Sequence, residues 1–186
     1  MRYRDYIWDL GGTLLDNYEV STQAFIETLD QYGKVANHDQ VYSKLKESTA
    51  IAIETFASDI PHFLKAYKDR EAQHLELPQL VLGAKEILAK IVREDSRNFL
   101  VSHRDRQVLS LLKATDIESY FVEVVTSESG FKRKPSPESF IYLKDKYHID
   151  NALVIGDREI DSLAGKSAGF DTLLVDGKTS LLEIVK

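Results

Sequence analysis

Asp9 closes the apolar run Tyr6-Ile7-Trp8 and is followed, after Leu10, by Gly11-Gly12-Thr13. An acid at the end of a strand, with a flexible turn behind it, sits where open α/β sheets place their chemistry, outside the carboxyl ends of the strands. Gly11 and Gly12 let the backbone turn sharply there, with amides free to face an anion. Three later segments offer polar groups at equivalent places. Ser102 ends Phe99-Leu100-Val101, and Lys134 lies in Phe-Lys-Arg-Lys-Pro-Ser-Pro at 131–137. Asp157 follows Leu153-Val154-Ile155-Gly156, with Asp161 four residues on. Each segment taken alone has a plain alternative. Asp9 fits an ordinary strand-ending turn, Ser102 a helix cap, and Lys134 a solvated basic loop with Lys132 and Arg133. Asp157 and Asp161 fit acids that complement the dipole of a helix N-terminus.

The elements that position these residues follow from hydrophobic periodicity. Tyr6–Trp8 has strand character. From Asp16 the pattern is helical without strands: Val20, Ala24, Phe25, Leu29 and Tyr32 mark one face of a helix ending near Gly33. Val41, Leu45, Ala52 and Phe56 fit one or two more helices, and Ile60, Phe63, Leu64 and Tyr67 another. This block runs to about Leu77, before Pro78. From Gly83 strands and helices alternate. Helices are expected around 84–91, 108–112, 137–147 and 160–168, and strands at 98–102, 121–125, 152–155 and 172–175. Ser136-Pro137 reads as an N-cap with proline at the first helical position, and Gly169 as a C-terminal cap. Strands alternating with helices imply an α/β fold, a doubly wound parallel sheet. Residues 1–15 and 83–186 make that sheet domain, and 16–82 a helical insert after its first strand, placed to act as a lid.

The 186 residues, 43% hydrophobic, suffice for one core and a small accessory unit. The net charge of −6 argues against nucleic acid, which needs clustered Lys and Arg. A small anion needs only a local positive site. The absence of cysteine excludes disulfides, a thiolate nucleophile and Cys-type zinc sites. The apolar stretch at the start is too short for a signal peptide or a membrane span. A soluble cytoplasmic protein, monomer or weak dimer, with no membrane partner, is expected.

Four segments in this order, each at its strand end, resemble the motifs of the haloacid dehalogenase superfamily. The insert position, Lys-Pro-Ser-Pro and Gly-Asp-Arg-Glu-Ile-Asp resemble the subfamily with a small helical cap, which includes phosphoglycolate phosphatase and β-phosphoglucomutase. The resemblance implies a Rossmann-like core with an inserted cap, Mg²⁺ as cofactor and a small phosphorylated metabolite as substrate. It makes Asp9 the nucleophile that forms an aspartyl-phosphate. Asp9, Asp157 and the carbonyl of Gly11 become metal ligands, with Asp161 supporting the metal or orienting Lys134. Ser102 and Lys134 hold phosphate oxygens, helped by the amides of Gly11 and Gly12. His103, where the family often has Asn, faces substrate or solvent.

Gly11 departs from that pattern. Phosphatases of the family carry a second Asp there, which protonates the leaving oxygen and later activates water. General acid–base catalysis contributes roughly 10²–10⁴-fold. Its loss favours good leaving groups, as in acyl or aryl phosphates, over simple sugar phosphates. Two other relatives lack that acid. Phosphonatases use a cap lysine as a Schiff base, for which Lys34, Lys44, Lys46, Lys65 and Lys68 are candidates. Dehalogenases need no metal and leave Asp157 without a task. A non-catalytic protein that binds Mg²⁺ and phosphate is the remaining alternative.

Overall fold

The computed structural model describes residues 1–74 and 78–185. Strands β1 (Asp5–Trp8), β2 (Arg97–Val101), β3 (Phe121–Val125), β4 (Ala152–Gly156) and β5 (Asp171–Leu174) form a parallel sheet in the order β3-β2-β1-β4-β5. The order runs outward from β1 in both directions. Connections therefore diverge between β1 and β4, and a crevice opens at their carboxyl ends. This is the α/β, doubly wound arrangement that the alternation predicts.

The helices are α1 (Asn17–Gln31), α2 (His38–Glu47), α3 (Thr49–Phe56), α4 (Phe63–His74), α5 (Ala84–Arg93), α6 (Gln107–Ala114), α7 (Glu138–Tyr147), α8 (Glu159–Ser167) and α9 (Leu181–Ile184). By contact the chain divides into two compact units. One comprises Met1–Leu15 and Leu80–Lys186, and the other Asp16–Gln79. Leu77, expected as the end of the helical block, lies outside the described residues; α4 ends at His74.

In the sheet unit, β1 and β4 are buried throughout, which explains why they read as unbroken apolar runs. Successive side chains serve opposite faces. Tyr6, Trp8, Leu100 and Ile155 pack with Ile87, Leu88 and Ile91 of α5, Val108 and Leu112 of α6, and Leu181 of α9. Ile7, Phe99 and Val154 pack with Phe140 and Leu143 of α7 and Ala164 of α8. A buried amide ties the first of these layers together. Asn98 accepts from Trp8 Nε1 at 2.9 Å and donates to the carbonyls of Leu88, at 3.2 Å, and Tyr120, at 3.3 Å.

The helical unit closes around Phe25, whose ring lies 4.8 Å from that of Phe63, 5.2 Å from Tyr67 and 6.3 Å from Phe56, all edge-on. Asp16, Asn37 and Ser48 cap α1, α2 and α3 by accepting from Glu19, Gln40 and Ile51 amides. Leu64 does not share the inward face of α4: Phe63 and Tyr67 at i and i+4 define it, and Leu64 is 51% exposed. Ile60 lies in the turn ahead of that helix.

Several boundaries in the sheet unit shift by one residue, among them β2, which ends at Val101 and leaves Ser102 just beyond it. Pro137 is the cap of α7 rather than its first residue, because its carbonyl already accepts from Phe140 and Ile141, at 3.0 and 2.9 Å. Strand β5 starts at Asp171 and stops at Leu174.

Candidate active site

The site begins with the register of β1. Trp8 lies between Leu100 on β2 and Ile155 on β4, and the amide of Asp9 donates to the carbonyl of Ile155 at 2.8 Å. The ladder thus carries one residue past the strand and fixes the backbone of Asp9 at the point where the connections diverge. The side chain is buried at that point; Asp9 is only 7% exposed.

Lys134 arrives there from the loop ahead of α7. Its Nζ donates to Asp9 Oδ1 at 2.6 Å, Asp161 Oδ1 at 2.6 Å and the Val101 carbonyl at 3.1 Å, which satisfies all three protons. The Lys134–Pro135 peptide is cis. The backbone N–H of Lys134 donates to Nε2 of His103 at 2.7 Å. His103, expected to face substrate or solvent, therefore has one ring nitrogen committed to the loop that carries Lys134. Because Nε2 accepts, the ring proton sits on Nδ1. Burial, then the nearby charges of Lys134, Arg133 and Arg158, lower the His103 pKa to about 4, so the ring is neutral near pH 7.

Asp161 reaches the site from the first turn of α8. Its Oδ2 accepts from the Arg158 amide at 3.2 Å while Oδ1 holds Lys134. Gly156 makes this approach feasible: a Cβ on it would collide with the Cβ of Asp161. Asp157, next along the chain, completes an acidic group. Asp9, Asp157 and Asp161 can each present one oxygen such that all lie within 4.8 Å of one another. Burial is the largest influence on Asp9 and raises its pKa; Lys134 opposes this and Asp161 reinforces it.

The donor set suits a hard divalent cation. Three carboxylates around one ammonium leave two negative charges to balance, all the ligands are oxygen, and burial makes the imbalance costly. The Arg158 guanidinium stands 4.0 Å from Asp157 Oδ1, but its side chain is half exposed and water screens it. Mg²⁺ fits these residues.

The glycine turn departs from expectation in one respect. Gly12 adopts a left-handed φ of +83°, and its amide donates to the Leu15 carbonyl at 2.8 Å, so that amide does not face an anion. Amides of Leu14 and Leu15 both converge on the Leu10 carbonyl at 2.9 Å, closing the turn on itself. Thr13, inside it, is fully buried and its Oγ1 has no hydrogen-bond partner among the described residues. Ser102 is buried beyond β2. Its amide donates to the Val125 carbonyl at 2.9 Å, and its Oγ accepts from the Arg104 amide at 3.2 Å.

Within the helical unit, four of the five candidate lysines are ion-paired: Lys34 with Asp59, Lys44 with Glu47, Lys65 with Asp69 and Lys68 with Glu71. Lys46 lies over the Tyr18 ring at 5.4 Å. Schiff-base chemistry needs an ammonium that loses its proton readily, whereas the hydrogen bond to Asp69 raises the pKa of Lys65.

Backbone contacts were the part that sequence reasoning missed. Neither the Val101 carbonyl nor the Arg158 amide carries a side-chain signal. The tie from His103 to Lys134 joins residues 31 apart and has none either.

Comparison with known proteins sets this geometry in context. A solved structure of a hydrolase from Streptococcus pneumoniae TIGR4 is 57% identical, covers 99% of this chain and 97% of its own, and superimposes with a TM-score of 0.94. A pyrophosphatase PpaX of Bacillus velezensis is 28% identical over 89% of this chain and 80% of its own length. A phosphoglycolate phosphatase of Vibrio parahaemolyticus is 27% identical over 87% of this chain and 78% of its own length. The haloacid dehalogenase-like hydrolase model matches residues 6–175, and the chain belongs to that family of hydrolases.

Proposed function

We infer that the chain is a Mg²⁺-dependent phosphatase that acts on a small phosphorylated metabolite through an aspartyl-phosphate at Asp9. The observation that supports this most is the buried contact of Lys134 Nζ with Asp9 and Asp161, 2.6 Å to each, beside the carboxylate of Asp157. Relatives named as a pyrophosphatase and a phosphoglycolate phosphatase agree with phosphorus–oxygen bond cleavage.

In this reading an Asp9 oxygen attacks phosphorus in line, the bond to the leaving oxygen breaks, and water then cleaves the acyl-phosphate. Lys134 keeps Asp9 oriented and offers charge to the phosphoryl oxygens, and Ser102 offers a hydroxyl. Asp9, Asp157, Asp161 and the Gly11 carbonyl would hold Mg²⁺, which when bound supplies the positive charge that lets a carboxylate approach a phosphate. Among metal-free alternatives, dehalogenation leaves the grouping of Asp157 with Asp9 and Asp161 without a purpose.

Gly11 narrows the substrate. With no carboxylate at that position to protonate a leaving oxygen, phosphoanhydrides, acyl phosphates and aryl phosphates are favoured over alkyl phosphates. The test is phosphate release from p-nitrophenyl phosphate and from pyrophosphate by the purified protein. Release should require Mg²⁺, stop on chelation and be absent in Asp9→Asn. Metal-independent release, or release by Asp9→Asn, would overturn the assignment.

A further inference from the structure

The reaction inferred above has two halves with different proton requirements, and the groups around Asp9 meet them unequally. In the first half, Asp9 Oδ bonds to phosphorus and the leaving oxygen departs with the bonding electrons. A phosphate, carboxylate or phenolate leaves as a stable anion, so this step needs no proton donor. In the second half, a water oxygen bonds to phosphorus, the bond from phosphorus to Asp9 breaks, and the water gives up a proton. That loss is needed whatever the substrate was.

Asp157 would be occupied by the metal, and the other core side chains around Asp9 offer, among the described residues, little to take that proton. Position 11 has no side chain. Lys134 is an ammonium with its three protons donated to Asp9, Asp161 and Val101. Asp161 has Oδ1 on Lys134 and Oδ2 on the Arg158 amide. His103 has its accepting nitrogen on the backbone N–H of Lys134. We propose that hydrolysis of the Asp9 phosphoenzyme is the slow step, so that during turnover most of the protein stands phosphorylated on Asp9. This rests on the phosphatase reading above and adds to it which half-reaction limits the rate.

One consequence separates this from an ordinary phosphatase. If every good substrate ends in the same phosphoenzyme, and its hydrolysis limits the rate, kcat must be the same for all of them. Only kcat/KM, which reports the first half alone, should vary with leaving group.

The experiment mixes the Mg²⁺-loaded protein with p-nitrophenyl phosphate and follows p-nitrophenol from the first turnover. The result expected is a rapid burst of about one product per chain, then a slow linear phase. Intact-protein mass should show one phosphoryl group per chain during that phase, labile to hydroxylamine and absent in Asp9→Asn. Acetyl phosphate and pyrophosphate should give the same kcat within about twofold. Gly11→Asp should abolish the burst and raise kcat by on the order of 100-fold, the low end of what a general base contributes. Gly11→Asn, equal in size but no base, should keep the burst. A linear course with no phosphoryl adduct, or kcat values that follow the leaving group, would overturn the proposal while leaving the phosphatase reading intact. Neither phosphate release nor adduct from any of these substrates would overturn that reading as well.

Discussion

The backbone N–H of Lys134 donates to Nε2 of His103 across 2.7 Å, so an imidazole beside β2 fixes the loop whose lysine bridges Asp9 and Asp161. The bond works only while His103 is neutral. A protonated ring would turn a donor against a donor.

The sign of the resulting pH dependence is set by the pKa of about 4 in the folded protein, below the ordinary histidine value of 6.5. The unfolded chain binds the proton more readily in that interval, so stability rises with pH between those two values and is lost as pH falls through them. Thermal unfolding from pH 4 to 7 should therefore show a steeper loss on the acid side for the wild type than for His103→Gln. The glutamine keeps an acceptor at similar reach and does not titrate. Equal slopes would show that His103 is not the group responsible. His103→Ala should lower kcat by about 10-fold, with His103→Gln recovering most of it.

The metal assignment is checked through Asp157. Magnesium that binds the folded state alone raises the unfolding temperature, by a stabilisation that keeps growing with the logarithm of its concentration once that exceeds the Kd. In the wild type the shift should set in at a low Mg²⁺ concentration and continue to rise above it. In Asp157→Asn the Mg²⁺ concentration required should rise at least about 10-fold, read by calorimetry or thermal shift without any substrate. An unchanged titration would remove Asp157 from the metal site.

How much of this was legible beforehand depends on where the information lay. Asp9, Lys134, Asp157 and Asp161 could be read because reactive side chains at strand ends are visible as residue types after apolar runs. Their convergence follows from a parallel sheet, which the alternation of elements dictates. The turn at Gly11-Gly12 was legible as a turn, but not the direction of its amides, since the Gly12 amide goes to Leu15 rather than outward. His103 suggested contact with substrate or solvent by residue type alone, and only tertiary structure directs its Nε2 to the Lys134 amide. Leu64 fitted an apolar run, but a face already set by Phe63 and Tyr67 leaves it outside. Pattern identifies which side chains are apolar or reactive; it does not say where backbone donors are spent.

Asn98 was equally hidden, because an amide inside a strand contradicts strand propensity. It is fully buried, accepts from Trp8 and donates to two carbonyls, so β1, β2, α5 and the turn ahead of β3 meet in one side chain. Asn98→Leu keeps the approximate size but strands three polar groups in the core. A loss of about 3 kcal/mol or more is expected in urea unfolding, since each unsatisfied buried group costs about 1–3 kcal/mol. A loss under about 1 kcal/mol would mean that water or a backbone shift satisfies those groups instead. The hydrogen bonds of the Asn98 side chain go to Trp8, Leu88 and Tyr120 and to none of the groups assigned to the phosphoryl chemistry, so kcat at a temperature where the variant stays folded should change little.

The sharpest test returns to Gly11. Its φ is not in the left-handed region, in contrast to Gly12 at +83°, so Gly11→Asp does not force an L-residue into that conformation. If the new carboxylate can donate a proton to the leaving oxygen, kcat/KM should rise most for alkyl phosphates, whose alkoxide leaves poorly. The expected gain is on the order of 10²-fold or more, and no more than about threefold for p-nitrophenyl phosphate, whose phenolate needs no proton. The contrast between the two ratios carries the argument, because a general improvement in folding or metal binding would raise both alike. Gly11→Asn supplies the size and polarity without the acid and should raise neither. If the wild type already hydrolyses alkyl phosphates as efficiently as aryl phosphates, or if Gly11→Asp leaves both ratios unchanged, the proton comes from another group. The absence of a side chain at position 11 would then have no bearing on which substrates are cleaved.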